Sequence, residues 1–331
     1  MIKQSVYFNR NTKVPFVSFV LPVWKVHFLK QAINSILSQV YTNFELVIVN
    51  DASPENVDEI IAAYKDKRIR YYKNKENIGG KNLVEQWNHC ISYAKGDYIV
   101  LSSDDDVYAP EYLKECISLA LKYPKADLIH ARVLQIDEND RIVGIDCLLP
   151  EITNKYEFLY WWVTGSIFTC IGNYMFKKSA FLNEGGFIDY PCAFCSDVAT
   201  TLLMSKNGVA NTQEMLFQFR HSSIHLSGSR RLFRQKLQAN NGLYTFLFSL
   251  NYSKPESSLD FFYFKQTSHV KIYEKCKYDY YNQVVKYLPF SKIYYIKDCK
   301  HISFKDKCKL IIRYCFDRIF RRNLSVRSKN S

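Results

Sequence analysis

No stretch of 18 residues in this 331-residue chain is both apolar and free of charge, so no membrane-spanning helix is expected. The N-terminal MIKQSVYFNRNTKVPF lacks an apolar signal core, so secretion is not expected. The ten cysteines fall at no framework spacing. They read as reduced thiols, many of them buried like small hydrophobes. The lone CxxC, Cys192 to Cys195, has no second pair, which gives zinc or redox chemistry little support. The stretch LPVWKVH contains no glycine. That counts against a nucleotidyltransferase, the rival enzyme reading, which needs a Gly-rich, Lys/Arg-bearing loop after its first strand. Glycine is almost missing from the last hundred residues, where Gly242 stands alone. There is no internal repeat and no low-complexity segment.

What is present describes a folded protein. Apolar residues make up 47% and aromatics 16%, enough for one large or two modest domains with a core. The formal charge is +13, and it is uneven. Between Lys305 and Lys329 nine Lys/Arg face only Asp306 and Asp317, a net of +7. A basic tail of this kind calls for an anionic partner.

The first half alternates apolar runs with amphipathic stretches. FVSFVLPVW (residues 16–24), FELVIVND (44–51), IRYY (69–72) and DYIVLSS (97–103) are predicted strands. Helices are predicted over residues 27–39, from Ser53-Pro54 onward, over 81–94 and from Pro110 to near Pro124. This alternation predicts a parallel sheet covered on both faces. Such sheets bind ligands beyond the carboxyl ends of their strands. Asp51 and the run Asp104, Asp105, Asp106 fall at such ends. Further on, ADLIHARVLQID, RIVGIDCLL and EMLFQFRHSS read as strands. SDVATTLLMSKNG reads as a helix with Gly208 just past its end. The aromatic stretch YWW reads as core or as a sugar-stacking surface. The Tyr-, Phe- and Lys-rich remainder reads as a helical appendage.

Two carboxylates about 4 Å apart repel by roughly 1 kcal/mol in water and several times that near a protein surface. Three in a row need a cation or separate directions. Mg²⁺ or Mn²⁺ suits them, because such ions take one or two carboxylates plus substrate phosphates. The plainer reading is a solvated turn whose acids cap the next helix.

From about Val14 to Gly228 the chain resembles the family 2 inverting glycosyltransferases, which have a Rossmann-like, mostly parallel mixed sheet with helices on both faces, the glycosyltransferase-A fold. The ordered motifs are VSFVLPVWKVHFLKQAINSILSQVYTNFELVIVNDAS, NKENIGGKNLVEQWNHCISYAKGDYIV, LSSDDDVYAPEYL, GNYMFKKSAFLNEGGF, CSDVATTLLMSKNG and FRHSSIHLSGS. The expected organisation is an extension over 1–13, a catalytic domain over 14–228 and a helical region over 229–331 with its basic tail.

The resemblance implies roles by position. Pro22 lies where the family contacts the nucleotide. Asp51 would accept a hydrogen bond from the uracil imide, or else cap the following helix. Asn77, Gly79 and Lys81 would lie near base and diphosphate, unless they form a plain turn. Asp104 would bind the ribose hydroxyls, and Asp105 would ligate a Mn²⁺ or Mg²⁺ ion. His221 or His225 would contact that metal or the diphosphate. Asp106, Arg220, Trp161 and Trp162 are candidate diphosphate or acceptor contacts. Asp197 matches the catalytic base, or is an N-cap. Ser103 and Ser196 replace acids that the family usually carries.

The implied activity is transfer from a nucleotide-sugar, expected to be a UDP-sugar, to a hydroxyl of a glycan or lipid-linked oligosaccharide. The setting would be cell-surface polysaccharide or lipopolysaccharide synthesis. A catalytically inactive or binding-only member is the alternative. In the tail, Cys308, Ile311, Ile312, Cys315, Phe316, Ile319 and Phe320 recur at three- and four-residue steps. That stripe would lie on an anionic membrane surface, or pack on the appendage. The expected place is cytoplasmic, peripheral to the inner face of the membrane, with no nucleic-acid partner.

Overall fold

The computed structural model describes residues 14–222, 232–250, 252–267 and 269–327, with backbone alone at 269 and 320–327. The chain divides into two compact units. One holds Met1–Asp189 and Thr200–Ser223; the other holds Tyr190–Ala199 and Ile224–Ser331.

In the first unit the chain runs β1 (Val17–Val23), α1 (Leu29–Leu37), β2 (Phe44–Asn50), α2 (Val57–Ala62), β3 (Ile69–Lys73), α3 (Leu83–Ser92) and β4 (Tyr98–Leu101). Strands β3, β2, β1 and β4 are neighbours and parallel. Strand β2 is buried along its whole length and β1 at all but Pro22, as a parallel sheet covered on both faces requires. Helix α1 buries Leu29, Ala32, Ile33 and Ile36, the one face its apolar period predicts.

The sheet continues through β5 (Val107–Tyr108), α4 (Tyr112–Lys122), β6 (Leu128–Ile136), β7 (Ile142–Ile145), β8 (Ile152–Thr153), α5 (Lys155–Val163), β9 (Tyr174–Lys177), α6 (Lys178–Asn183), α7 (Ser196–Met204) and β10 (Val209–Arg220). The first turn of α7 belongs to the second unit. Among the described residues the sheet has ten strands in the order β3-β2-β1-β4-β9-β6-β10-β5, with β7 on β6 and β8 on β10. It is mixed: β9 pairs antiparallel with both β4 and β6, and β10 runs parallel to β6. Gly208 ends the α7 region with a φ of 93°, a left-handed geometry that glycine adopts without strain.

One predicted start is displaced. Helix α2 begins at Val57, not at Ser53-Pro54. Ser53 Oγ donates to Trp24 O at 2.7 Å, and Ser53 N donates to Asn50 Oδ1 at 2.9 Å. These bonds fix the segment as a turn against the end of β1. Asn56 becomes the cap, accepting from Glu59 N. The aromatic stretch forms α5, capped by Asn154 and buried at Tyr156, Phe158, Leu159 and Trp162.

The second unit contains α8 (Phe233–Ser249), α9 (Ser258–Gln266), α10 (His269–Asp279) and α11 (Phe304–Arg327), joined in part by π and 3₁₀ turns. The appendage is therefore helical, as its sequence suggests. Its tyrosines tie the interior with their hydroxyls. Tyr244 donates to Asp279 at 2.5 Å, Tyr280 to Asn241 at 2.5 Å and Tyr314 to Leu288 O at 2.7 Å. Lys275 neutralises buried Asp279 at 2.7 Å.

Arg220 closes β10 and is fully buried. Its Nε donates to Asp105 O at 2.9 Å, Nη1 to Asp137 O at 3.1 Å and Asp140 Oδ1 at 2.7 Å, and Nη2 to Gln31 Oε1 at 2.8 Å. Its guanidinium lies 4.3 Å from the centre of the Phe28 ring. This candidate contact to diphosphate or acceptor is thus turned into the protein, where it holds the acidic loop from within. A buried cation is tolerable only with its donors satisfied. Arg220→Ala should therefore cost about 3–5 kcal/mol of stability, measured by urea unfolding. Arg220→Lys should not restore it, because one ammonium cannot replace a planar fork of donors. A loss within about 0.5 kcal/mol, the range of an ordinary surface change, would refute this role.

Candidate active site

Parallel strands bring their carboxyl ends to one edge. Val23 of β1 lies in register with Asn50 of β2, while β4 stops at Leu101, opposite Val20. The segments that leave this edge carry Asp51 and Asp104–Asp106.

Asp51 is buried. Its Oδ1 accepts from Asn74 Nδ2 at 2.7 Å and Ile78 N at 2.9 Å, and its Oδ2 from Gly79 N at 2.7 Å. It organises the 74–80 loop and does not cap α2. Three of its roughly four acceptor sites are filled, which leaves room for one more donor. A Cβ on residue 79 would lie 2.9 Å from Asp51 Oδ2, so this close approach requires glycine. Asn77 Oδ1 accepts from Gly80 N at 2.5 Å. Lys81 is exposed beside Glu76 at 2.6 Å. Pro22 is half-buried near the end of β1.

The three adjacent acids take three directions. Asp104 Oδ2 accepts from Lys25 N at 2.9 Å and Trp24 N at 3.3 Å, in the loop after β1. Asp105 is buried, with Ser103 Oγ at 2.6 Å and Ser222 Oγ at 3.4 Å. Asp106 is buried against Arg220 N at 3.0 Å and Ser103 Oγ at 2.8 Å. Ser103, in the place of a family acid, thus sits between two carboxylates and has one proton for them. Burial, then the charge of Asp105, pushes the Asp104 carboxyl up to about 6. The same two causes push Asp106 well above the ordinary carboxylate range. Concentrated negative charge of this kind is what a divalent cation relieves.

Among the described residues no group of three or more His, Cys, Asp or Glu side chains is gathered for a metal ion. His221 Nε2 is paired with Gln135 Oε1 at 2.8 Å. His225 lies outside the described residues. The donor set therefore does not fit an all-protein cage. It does fit a hard cation that takes one carboxylate, Asp105, and completes its shell from phosphate and water.

Asp197 stands in the second unit, in the first turn of α7. Burial pushes its carboxyl up to about 7, opposed by the backbone N–H of Val198 at 2.8 Å. The preceding residues carry backbone strain that sequence reasoning missed. Cys192, Ala193 and Cys195 have φ of 52°, 55° and 66°, left-handed values costly for side chains with a Cβ. No glycine or asparagine marks these positions. Ser196 is buried and accepts from Tyr190 N at 3.1 Å, which closes the loop upon itself. Both cysteines are free, and burial raises their thiols, which disfavours the thiolate needed for metal or redox work. Trp162 is buried, and Trp161 is half-buried with its indole N–H on Glu157 at 3.3 Å.

Comparison with known proteins bears on the family and the fold. The model of Glycosyl transferase family 2 matches residues 18–183. An uncharacterized glycosyltransferase of Rickettsia typhi is 34% identical over 122 residues, covering 37% of this chain and 37% of that protein. Glycosyltransferase GlyG of Streptococcus pneumoniae is 32% identical over 127 residues, 38% of this chain and 41% of that protein. The chain therefore spans well under half the length of these relatives. Among solved structures, S. aureus TarS 1-349 in complex with UDP superposes with a TM-score of 0.61 at 14% identity, covering 89% of this chain and 80% of that one. The mannosyltransferase PcManGT of Pyrobaculum calidifontis, in complex with GDP-Man and Mn²⁺, gives 0.53 at 14% identity over 80% of this chain and 74% of that one. These two likenesses concern the fold. With the family's model matched from β1 to α6, across the strand ends that carry Asp51 and Asp104–Asp106, the chain belongs to glycosyl transferase family 2.

Proposed function

We propose that this glycosyltransferase moves a sugar from a UDP-sugar to a hydroxyl of a glycan or lipid-linked oligosaccharide, with inversion, in cell-surface polysaccharide synthesis. The observation that carries the reading is the divergent acidic strand end, with Asp104 and Asp106 driven upward in pKa around Asp105. The structural neighbour TarS has been solved with UDP and with UDP-GlcNAc, which favours uridine. Asp51 offers its remaining acceptor site to the uracil imide, beside Pro22. Asn77, Gly79 and Lys81 bound the base and diphosphate region, and Asp104 takes the ribose hydroxyls.

Asp105 would hold Mn²⁺ or Mg²⁺, which supplies Lewis-acid neutralisation of the departing diphosphate. His221 and His225 are further candidates for that ion or the diphosphate, and Asp106 and Arg220 support the loop. Asp197 takes the proton from the acceptor hydroxyl as its oxygen bonds to the anomeric carbon and the bond to the diphosphate breaks. Trp161 is the more accessible of the two tryptophans for stacking on an acceptor sugar. No described helix is long and apolar enough to cross a membrane. The proposed setting is peripheral, on an anionic membrane face.

Only the ionised Asp197 can accept a proton, so turnover should rise with pH through about 7, the value to which burial lifts its carboxyl. Asp197→Asn should lower kcat by about 10²–10⁴-fold and leave UDP binding unchanged, read by initial rates and calorimetry. A flat profile and an active Asn variant would remove Asp197 from the mechanism.

Donor chemistry has its own check. UDP should raise Tm more in Mn²⁺ than without it, and Asp105→Ala should abolish that increment. Equal shifts with and without metal would refute the cation site. A larger shift with a nucleoside triphosphate would favour the nucleotidyltransferase reading.

A further inference from the structure

The tail helix α11 divides sharply by face. At 100° per residue, Leu310 and Tyr314 mark the side that packs on the second unit, and both are buried. Tyr314 donates to Leu288 O at 2.7 Å, and Arg318 to the same oxygen at 2.5 Å. The two acids of the described helix lie on this side. Asp306 accepts from Tyr273 at 2.7 Å and Ser303 at 2.8 Å, and Asp317 accepts from the Tyr281 hydroxyl.

The opposite side carries the apolar stripe. Phe304 is 82% exposed, Ile312 68%, Ile319 60%, Phe316 57% and Ile311 39%. Each of these five keeps more than a third of its surface exposed, whereas Cys308 and Cys315 are half-buried and the side chain of Phe320 lies outside the described residues. Lys305, Lys309 and Arg313 are exposed along one edge of it. The helix therefore presents apolar side chains bounded by cations, of which Lys309 also pairs with Asp306 at 3.3 Å and Arg313 lies 3.9 Å from the centre of the Tyr281 ring.

We propose that this face of α11 docks on an anionic lipid bilayer. Large apolar side chains spread over about four turns suit a fluid surface, into which they insert without a complementary pocket. The flanking cations then meet lipid phosphates. Charge complementarity selects the partner: the segment from Lys305 to Lys329 carries a net of +7, which a neutral interface would leave uncompensated. The inference deepens the proposed peripheral setting and does not depend on the donor chemistry.

The full chain should sediment with vesicles of phosphatidylglycerol and phosphatidylcholine, and not with phosphatidylcholine alone. High salt should weaken this binding. The triple variant Phe304→Glu, Ile312→Glu, Ile319→Glu should lose it with unchanged Tm, since it alters the three most exposed positions of the stripe. Lys305→Glu with Lys309→Glu should weaken it by about tenfold or more. Hydrolysis of the donor should stay at the parent level in both variants, which separates this idea from failure of the enzyme reading. Binding that ignores lipid charge, or survives the triple variant, would overturn the proposal. So would a wild-type chain that ignores vesicles and instead forms a dimer that the triple variant dissolves.

Discussion

The first unit is arranged around the difficulty of keeping three consecutive carboxylates at the end of a buried strand. In water their repulsion would be slight, but burial makes each charge costly and strengthens its effect on its neighbours. The fold gives each acid a different set of donors: the loop after β1 for Asp104, Ser103 and Ser222 for Asp105, and the end of β10 for Asp106. Arg220 N, at the end of the last strand, and Ser222 Oγ, two residues beyond it, each come from more than a hundred residues away. The antiparallel pairing of β5 with β10 is what brings them there. Arg220 then ties the backbone of Asp105 to Asp137, Asp140 and Gln31. A single buried guanidinium thereby joins the acidic segment to the 137–140 turn and to helix α1.

Much of this was legible in the residues. Continuous apolar runs marked β1, β2 and β4, and their parallel order followed from the intervening helical periods. Asp51 and the acidic run were recognisable because both follow such strands. What could not be read is direction. Nothing in FRHSS says that Arg220 points inward, since that depends on β10 ending beside α1 and the 137–140 turn. Ser53 looked like a helix cap, because a serine before proline has that local preference. The tertiary bond to Trp24 O overrode it. The left-handed residues 192, 193 and 195 carry no compositional mark, because a non-glycine residue adopts that geometry only when surrounding structure imposes it.

The second unit shows a related limit. Its sequence has two apolar faces on one helix, and the periodicity of Ile312, Phe316 and Ile319 is the stronger. The protein nevertheless buries the other side, through Leu310 and Tyr314. The reason is polar as much as apolar. Tyr281, Tyr273 and the carbonyl of Leu288 can satisfy Asp317, Asp306, Tyr314 and Arg318 only on that side. The Ile and Phe side chains of the exposed stripe have no hydroxyl or charge to pair with them. The tyrosine content of the appendage thus decides the orientation that hydrophobic period alone would have misassigned.

The same weighing of burial against partners separates two meanings of Asp197. An aspartate serving as an N-cap accepts from backbone N–H groups farther along the helix, and those bonds stabilise its charge and lower its pKa. Among the described residues Asp197 accepts from the backbone N–H of Val198, its immediate neighbour, and such local backbone bonds oppose burial only in part. Desolvation therefore prevails, and the carboxyl rises to about 7. A cap with that property would be a poor cap, losing its charge near neutrality. A base with that property is well matched, because its affinity for a proton is greatest when the carboxylate form is still populated at the working pH. The strain at Cys192, Ala193 and Cys195 and the clip from Tyr190 to Ser196 are costs that helix capping does not require. They become intelligible if the loop exists to present one desolvated carboxylate.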